Sequence, residues 1–412
     1  MRKFDRTFAM SSNNKNAWLV VFIASAILLV TSGMRLTVGL FVEPITADTE
    51  INIVQISFAL AVMQLMWGLS QPIMGGLADK FGALPVLLGG TLLLVLGWLL
   101  VPMLISAWGL VLTLGILVAF GTGAGSFSVL MGVTANQISP QQRGTASGII
   151  NAGSSFGQFL FAPLVQTLIA VPMIGWNNTF YALAIISLLC LPLSFYLTKG
   201  VTAKQTHHNA EGEQKLLQAI KTACKNPSYI LIHLAFATCG FHVVFLVTHL
   251  PVEVSLAGLQ SDVASWSVGL IGLSNVVGSL FVGWCVNRFL CKYILFWMYL
   301  SRVILIAIYL FMPQTALTFY IFAIGLGLTW LATVPPTAGA IGKLFGVRYL
   351  ATLFGFALFS HQIGAFFGAY AGGLAMDYFG NYQYMWYADM LLAFLAAISN
   401  LPIKEEKPKI AQ

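Results

Sequence analysis

Three charged side chains, Arg35, Arg302 and Asp389, stand in stretches that are otherwise apolar. Arginine keeps its proton in any protein setting, and at the centre of a membrane helix it costs roughly 2.5–3.5 kcal/mol on insertion scales. Something must offset that cost. A planar guanidinium grips a carboxylate through two parallel N–H bonds. Arg35, in SGMRLTVGLF (32–41), is therefore a candidate anion-binding residue. Its competing uses are snorkelling to the surface and pairing with Glu43, although eight residues span ~12 Å of helix and strain that pair. His242 and His361 fall mid-stretch. Histidine titrates near neutral pH, so each is a candidate proton carrier, and a hydrogen-bonded packing histidine is the plainer reading of either. Gln64, Asn136, Asn275, Trp330 and Gln362 could complete a polar cavity, though such side chains more often bind membrane helices together. No nucleophile–base set appears. GTGAGS (121–126) lacks the GK[ST] of a phosphate loop, and close helix packing accounts for it. The residues point away from an enzyme.

These side chains need elements to position them. The chain has 412 residues, 58% hydrophobic and 8% charged, where a soluble domain has about 25% charged. An all-α integral membrane protein is expected. The net charge of +7 is not gathered on one basic face, which argues against a nucleic-acid partner. Five cysteines form no CxxC pair, so neither a disulfide framework nor a metal site is indicated, and no cofactor is expected. Spans need ~20 apolar residues. Twelve are read, at about 17–42, 53–77, 84–104, 107–133, 145–171, 178–198, 227–250, 264–286, 291–311, 315–340, 350–373 and 382–403. The basic N-terminus leads into a run too long for a signal-peptide core, so the first span is read as uncleaved. With that terminus in the cytoplasm, 18 of the 20 Lys and Arg fall inside and the remaining two are Arg35 and Arg302. Both termini are thus expected to be cytoplasmic. Residues 199–226 form the longest hydrophilic stretch and hold His207 and His208. Leu216, Leu217, Ile220 and Cys224 recur there at helical spacing, which suits a surface helix or a plain tether.

The parts on either side of that stretch repeat. QPIMGGLADKF (71–81) lies over SLFVGWCVNRF (279–289), and GTASGIINAGSSFGQF (144–159) over ATLFGFALFSHQIGAF (351–366). Two pseudo-symmetric six-helix halves follow, 1–198 and 227–412, with a site between them near the midplane. Gly75, Asp79, Lys80 and Gly82 resemble the G-x-x-x-D-[RK]-x-G signature of the major facilitator superfamily. The resemblance covers essentially the whole chain, including RGTASG (143–148). It implies a rocking transporter in which this motif works the inner gate: glycines allow close helix approach and Asp79 accepts from N–H groups of a neighbouring helix. A tight turn with a topological lysine is the plainer reading. The superfamily layout also puts spans 1, 4, 7 and 10 around the cavity, which makes Arg35 a cavity residue. It puts spans nine and twelve at the periphery, where Arg302 and Asp389 are expected to form a structural ion pair.

RLTVGLFVEPI (35–45) resembles the first span of monocarboxylate transporters and oxalate–formate carriers, where a lysine of the monocarboxylate group occupies the place of Arg35. Those carriers hold an aspartate and an arginine one turn apart in span eight; here the positions are Asn275 and Ser279. Both charges are gone, so a proton carrier would have to be His242 or His361. The expectation is a monomeric secondary transporter of a small organic anion, a monocarboxylate, in the bacterial inner membrane. Arg35, Asn275, Trp330 and Gln362 would contact the substrate, with protons as candidate co-ion. The alternative is an efflux carrier for an amphipathic drug or siderophore-like compound, and a third class is a sensor on a carrier scaffold.

Overall fold

A computed structural model of the chain describes residues 2–135, 137–138, 143–199, 218–286, 288–346 and 350–405, without the side chains of 2–16, 79, 135, 143, 144, 350 and 351. Asn136, His207, His208, Leu216, Leu217 and the Asp79 side chain thus lie outside the described residues. Each expected span is a helix or a set of helical pieces, and there is no strand among the described residues. Nine helices among them are long and apolar enough to cross a membrane. The other three expected spans are Arg143–Ala170, the pair Ala316–Gly327 and Val334–Phe345, and Gln383–Asn400.

Two spans break where charge sits. Span one runs as a helix from Arg2 to Arg35, turns, forms a short 3₁₀ helix Val38–Phe41, and resumes as Val42–Asp48. Span ten stops at Gly327 and restarts at Val334. Pro335 and Pro336 lack N–H donors and disfavour helical backbone before them, so a new helix begins there. Within hydrocarbon the freed backbone groups need partners. Arg302 of span nine (Cys291–Phe311) supplies two, its Nη2 donating to the carbonyls of Thr329 at 2.6 Å and Trp330 at 2.8 Å. The Leu331 N–H donates to Asn275 Oδ1 at 3.0 Å. A cation here also suits the negative C-terminal end of Ala316–Gly327.

The bundle is tight at one end. A methyl group on Gly39 would collide with the Val247 carbonyl, so spans one and seven (Pro227–Leu256) meet backbone to backbone. Beside them Ser255 Oγ donates to Glu43 Oε1 at 2.7 Å, and Gln166 Nε2 donates to Ser261 Oγ at 2.8 Å. Phe58 of span two (Ile53–Phe81) meets Tyr370 of span eleven (Leu350–Phe379) edge-on, ring centres 5.4 Å apart. At the other end, methyl groups on Gly75, Gly148 and Gly355 would find nothing within 4 Å.

That looser end carries a clip. The Glu405 carboxylate accepts from Lys343 Nζ at 2.6 Å and from the N–H groups of Cys291 and Lys292 at 2.9 and 3.0 Å. Burial pushes the Glu405 carboxyl up, but the Lys343 ammonium and the two N–H donors outweigh it and hold it below the usual carboxylate range. The tail after span twelve is thereby fastened to the starts of spans seven and nine and the end of span ten, Lys404 N–H reaching Ser228 Oγ at 3.1 Å.

Candidate functional site

Arg35 closes the first helix of span one and is only 6% exposed. Gln64 and Trp67 stand three residues apart on span two, hence on one helix face. Arg35 Nη1 donates to Gln64 Oε1 at 2.6 Å, and its guanidinium carbon lies 4.0 Å from the Trp67 ring centre. Its Nε is buried without a partner. Among the described residues Lys343 pairs with Glu405 and His242 contacts Asp389, and none of their carboxylates pairs with Arg35. Glu43 is occupied with Ser255.

Span two carries the site across to span eleven. A methyl group on Gly68, next to Trp67, would collide with the Gln362 side chain. Gln362 Nε2 lies 3.2 Å from His361 Nδ1, while Gln362 Oε1 and His361 Nε2 are buried without partners. A cation with no carboxylate partner among the described residues, a Trp face and the open amide oxygen of Gln362 form a group suited to an organic anion, while the His361 ring turns to Phe236 of span seven.

The second group lies among spans seven, nine, ten and twelve. His242 Nδ1 is 2.5 Å from Asp389 Oδ2. Trp330 turns its buried ring edge-on to His242, centres 5.9 Å apart, and its Nε1 has no partner. Cys239 Sγ lies 3.3 Å from Thr333 Oγ1.

The expected Arg302–Asp389 ion pair is not formed. Asp389 bonds His242, and Arg302 is drawn instead to the free carbonyls of the span-ten break. Asn275, expected at the substrate, has both ends of its amide engaged: Nδ2 donates to Ser155 Oγ at 2.7 Å and Oδ1 accepts from Leu331. Trp330 sits with His242 within the break. Of the gate motif, Gly82 takes φ of 89° at the turn into span three (Ala83–Leu100), a conformation that favours glycine. Lys80 is exposed with Nζ 5.1 Å from the Phe81 ring centre. Gly75 packs against nothing, so the close helix approach expected of it is absent here. GTGAGS does pack tightly: a methyl on Gly121 would collide with Leu94, and one on Gly90 with Ala124.

Two residues escaped the sequence reading. Trp67 was hidden among the aromatics, and its spacing of three from Gln64 was the available signal. Glu253, beyond the expected end of span seven at about 250, is buried in the last turns of that helix, its Oε1 accepting from Tyr309 OH at 3.0 Å and Trp386 Nε1 at 3.1 Å. The described residues contain no metal-binding group of His, Cys, Asp and Glu, and Cys190, Cys224, Cys239, Cys285 and Cys291 are all free thiols.

Known proteins agree with this architecture. A sequence model of the Major Facilitator Superfamily matches residues 21–337 and 258–411. The rat protein named monocarboxylate transporter 13 is 25% identical, the match covering 89% of this chain and 83% of that protein. The oxalate:formate antiporter of Oxalobacter formigenes is 23% identical over 89% of this chain and 86% of its own. An Aspergillus flavus transporter named MFS transporter asaE is 25% identical over 92% of this chain and 85% of its own length. With its helical spans and a family match from residue 21 to residue 411, the chain belongs to the Major Facilitator Superfamily, and is a multi-pass membrane transporter rather than an enzyme.

Proposed function

We propose that this transporter carries a small monocarboxylate by alternating access, with Arg35 as the residue that binds the carboxylate. The observation behind this reading is the buried Arg35 guanidinium, held by Gln64 and Trp67 and matched by no acidic side chain among the described residues. A fixed cation in a low-dielectric site attracts an anion far more strongly than one in water. Gln362, against Gly68 of the same span two, offers a further polar contact, and His361 beside it packs on Phe236 of span seven. The names of the rat and Oxalobacter relatives favour the same substrate class.

In this reading residues 1–198 and 227–412 rock as two halves joined by the 199–226 loop. The tight end, with Gly39 against Val247, is the closed outer gate. The loose end around Gly75, Asp79, Lys80 and Gly82 is the inner gate, open to the cytoplasm. The chain acts as a monomer in the cytoplasmic membrane with both termini inside. His242, paired with Asp389, and His361, beside Gln362, are the groups that take up a proton if transport is proton-coupled. Uptake of a panel of labelled carboxylates into proteoliposomes, with and without an inward proton gradient, tests the reading. One carboxylate accumulates in the wild type and fails to do so in folded Arg35→Gln. Transport by Arg35→Gln equal to wild type sinks it, and movement of amphipathic cations in place of carboxylates puts the efflux alternative first.

A further inference from the structure

A groove of about 910 Å³ opens on the outside of the bundle between span eight (Ser261–Val286) and span nine. Its walls are apolar and exposed: Val277, Phe281, Tyr293 and Trp297 are each about half exposed or more. From Val277 to Cys285 it follows about 12 Å of helix, close to the depth of one leaflet of a ~30 Å hydrocarbon core. Its deep end reaches Leu328 and Thr329, the first residues of the span-ten break. Its mouth is Arg288, in the turn between spans eight and nine.

Among the described residues of this lining Arg288 is the only charged one. Its guanidinium carbon lies 4.1 Å from the Trp284 ring centre, and Trp284 in turn stacks on Phe281 at 6.0 Å. No carboxylate pairs with Arg288 among the described residues. Aromatic rings at this level mark the membrane–water interface. A cation at the interface above an apolar slot one leaflet deep matches one kind of occupant: an anionic headgroup with an acyl chain beneath it.

We propose that this groove is a binding site for one anionic phospholipid, its phosphate on Arg288 and an acyl chain running along span eight to Leu328 and Thr329. The chain end then touches one face of the span-ten break while Arg302 holds the Thr329 carbonyl from within. The site is separate from Arg35 and stands whatever solute is carried. A plain annular contact would show no headgroup preference.

The test is native mass spectrometry of the purified full-length protein titrated with phosphatidylglycerol or phosphatidylcholine. One phosphatidylglycerol is expected to remain through delipidation that strips phosphatidylcholine. One basic residue near an anionic headgroup contributes ~1 kcal/mol, so Arg288→Gln should weaken retention at least about fivefold. Val277→Trp changes an exposed position and should obstruct the acyl slot without touching the charge, so it too should lower retention. Equal retention of both lipids, or wild-type retention by both variants, overturns the proposal. Displacement of the lipid by a transported amphipathic compound would make the groove a substrate site, and overturns it also.

Discussion

Arg302 holds Trp330 by its backbone: Nη2 of the arginine is 2.8 Å from the Trp330 carbonyl oxygen. The same nitrogen reaches Thr329 at 2.6 Å. A charge in the membrane is thus used to satisfy a helix that stops midway. Arg302→Leu should leave the Thr329 carbonyl without a donor and the Trp330 carbonyl with only the weak Cys239 thiol at 3.9 Å, and destabilise the protein by up to about 6 kcal/mol, since each buried orphan costs about 1–3 kcal/mol. Thermal unfolding in detergent measures this. Arg302→Lys keeps the charge without the fork and should fall between the two. If Arg302→Leu unfolds at the wild-type temperature, the arginine does not hold the break.

Arg35 should behave in the opposite sense. Its charge is buried with no counterion, so Arg35→Gln in ligand-free protein should unfold at the wild-type temperature or above it. Charge-assisted bonds contribute about 1.5–3 kcal/mol, so the same variant should weaken carboxylate binding about 10- to 100-fold. Arg35→Lys should recover part of that, lacking the planar stack on Trp67. A large loss of stability without ligand would make Arg35 a structural residue.

His242 and Asp389 meet at 2.5 Å, with Asp389 Oδ1 left unpartnered. If this pair takes up the proton, His242→Gln should transport with little dependence on an imposed proton gradient while retaining counterflow exchange. Gradient-driven accumulation unchanged in that variant would remove the pair from coupling.

Gly39 abuts the Val247 carbonyl. Gly39→Val should prevent closure at that end and shift the population to the opposite state. Labelling of a cysteine introduced at Ser255 by a membrane-impermeant maleimide should rise severalfold against the same cysteine in a Gly39 background. Unchanged labelling would mean that the two spans part without regard to this contact.

The Glu405 clip should be pH-dependent in a stated direction. The carboxyl is held below its ordinary value of about 4.3, so its contribution is present above that value. It is lost as pH falls through the lower folded-state value. Protection of the 401–405 amides, measured against the intrinsic exchange rate at each pH, should be high at neutral pH and fall in acid below about pH 4. Glu405→Gln should show low protection throughout.

Much of the fold was legible because hydrocarbon imposes length and composition on every span. The interruption of span ten was not, because residues 315–340 read as one apolar run. Its cause is local, in Pro335 and Pro336, but its tolerance depends on Arg302 and Asn275, which are distant in sequence. The same blind spot misassigned Asp389 and Arg302 to each other. Opposite charges on neighbouring spans look like partners until a free carbonyl or an imidazole competes. Arg35 was legible as an oddity, and its setting on Gln64 and Trp67 needed the crossing of two helices.

Asn275 has one further consequence. Its amide gives its nitrogen to Ser155 and its oxygen to Leu331, which lie on spans five and ten. Donor and acceptor are fixed at opposite tips of one planar group, so neither aspartate nor leucine can replace it at both. The residue is a registration pin, setting the heights of three helices against each other at one point. Any motion that slides span five past span eight must first withdraw it.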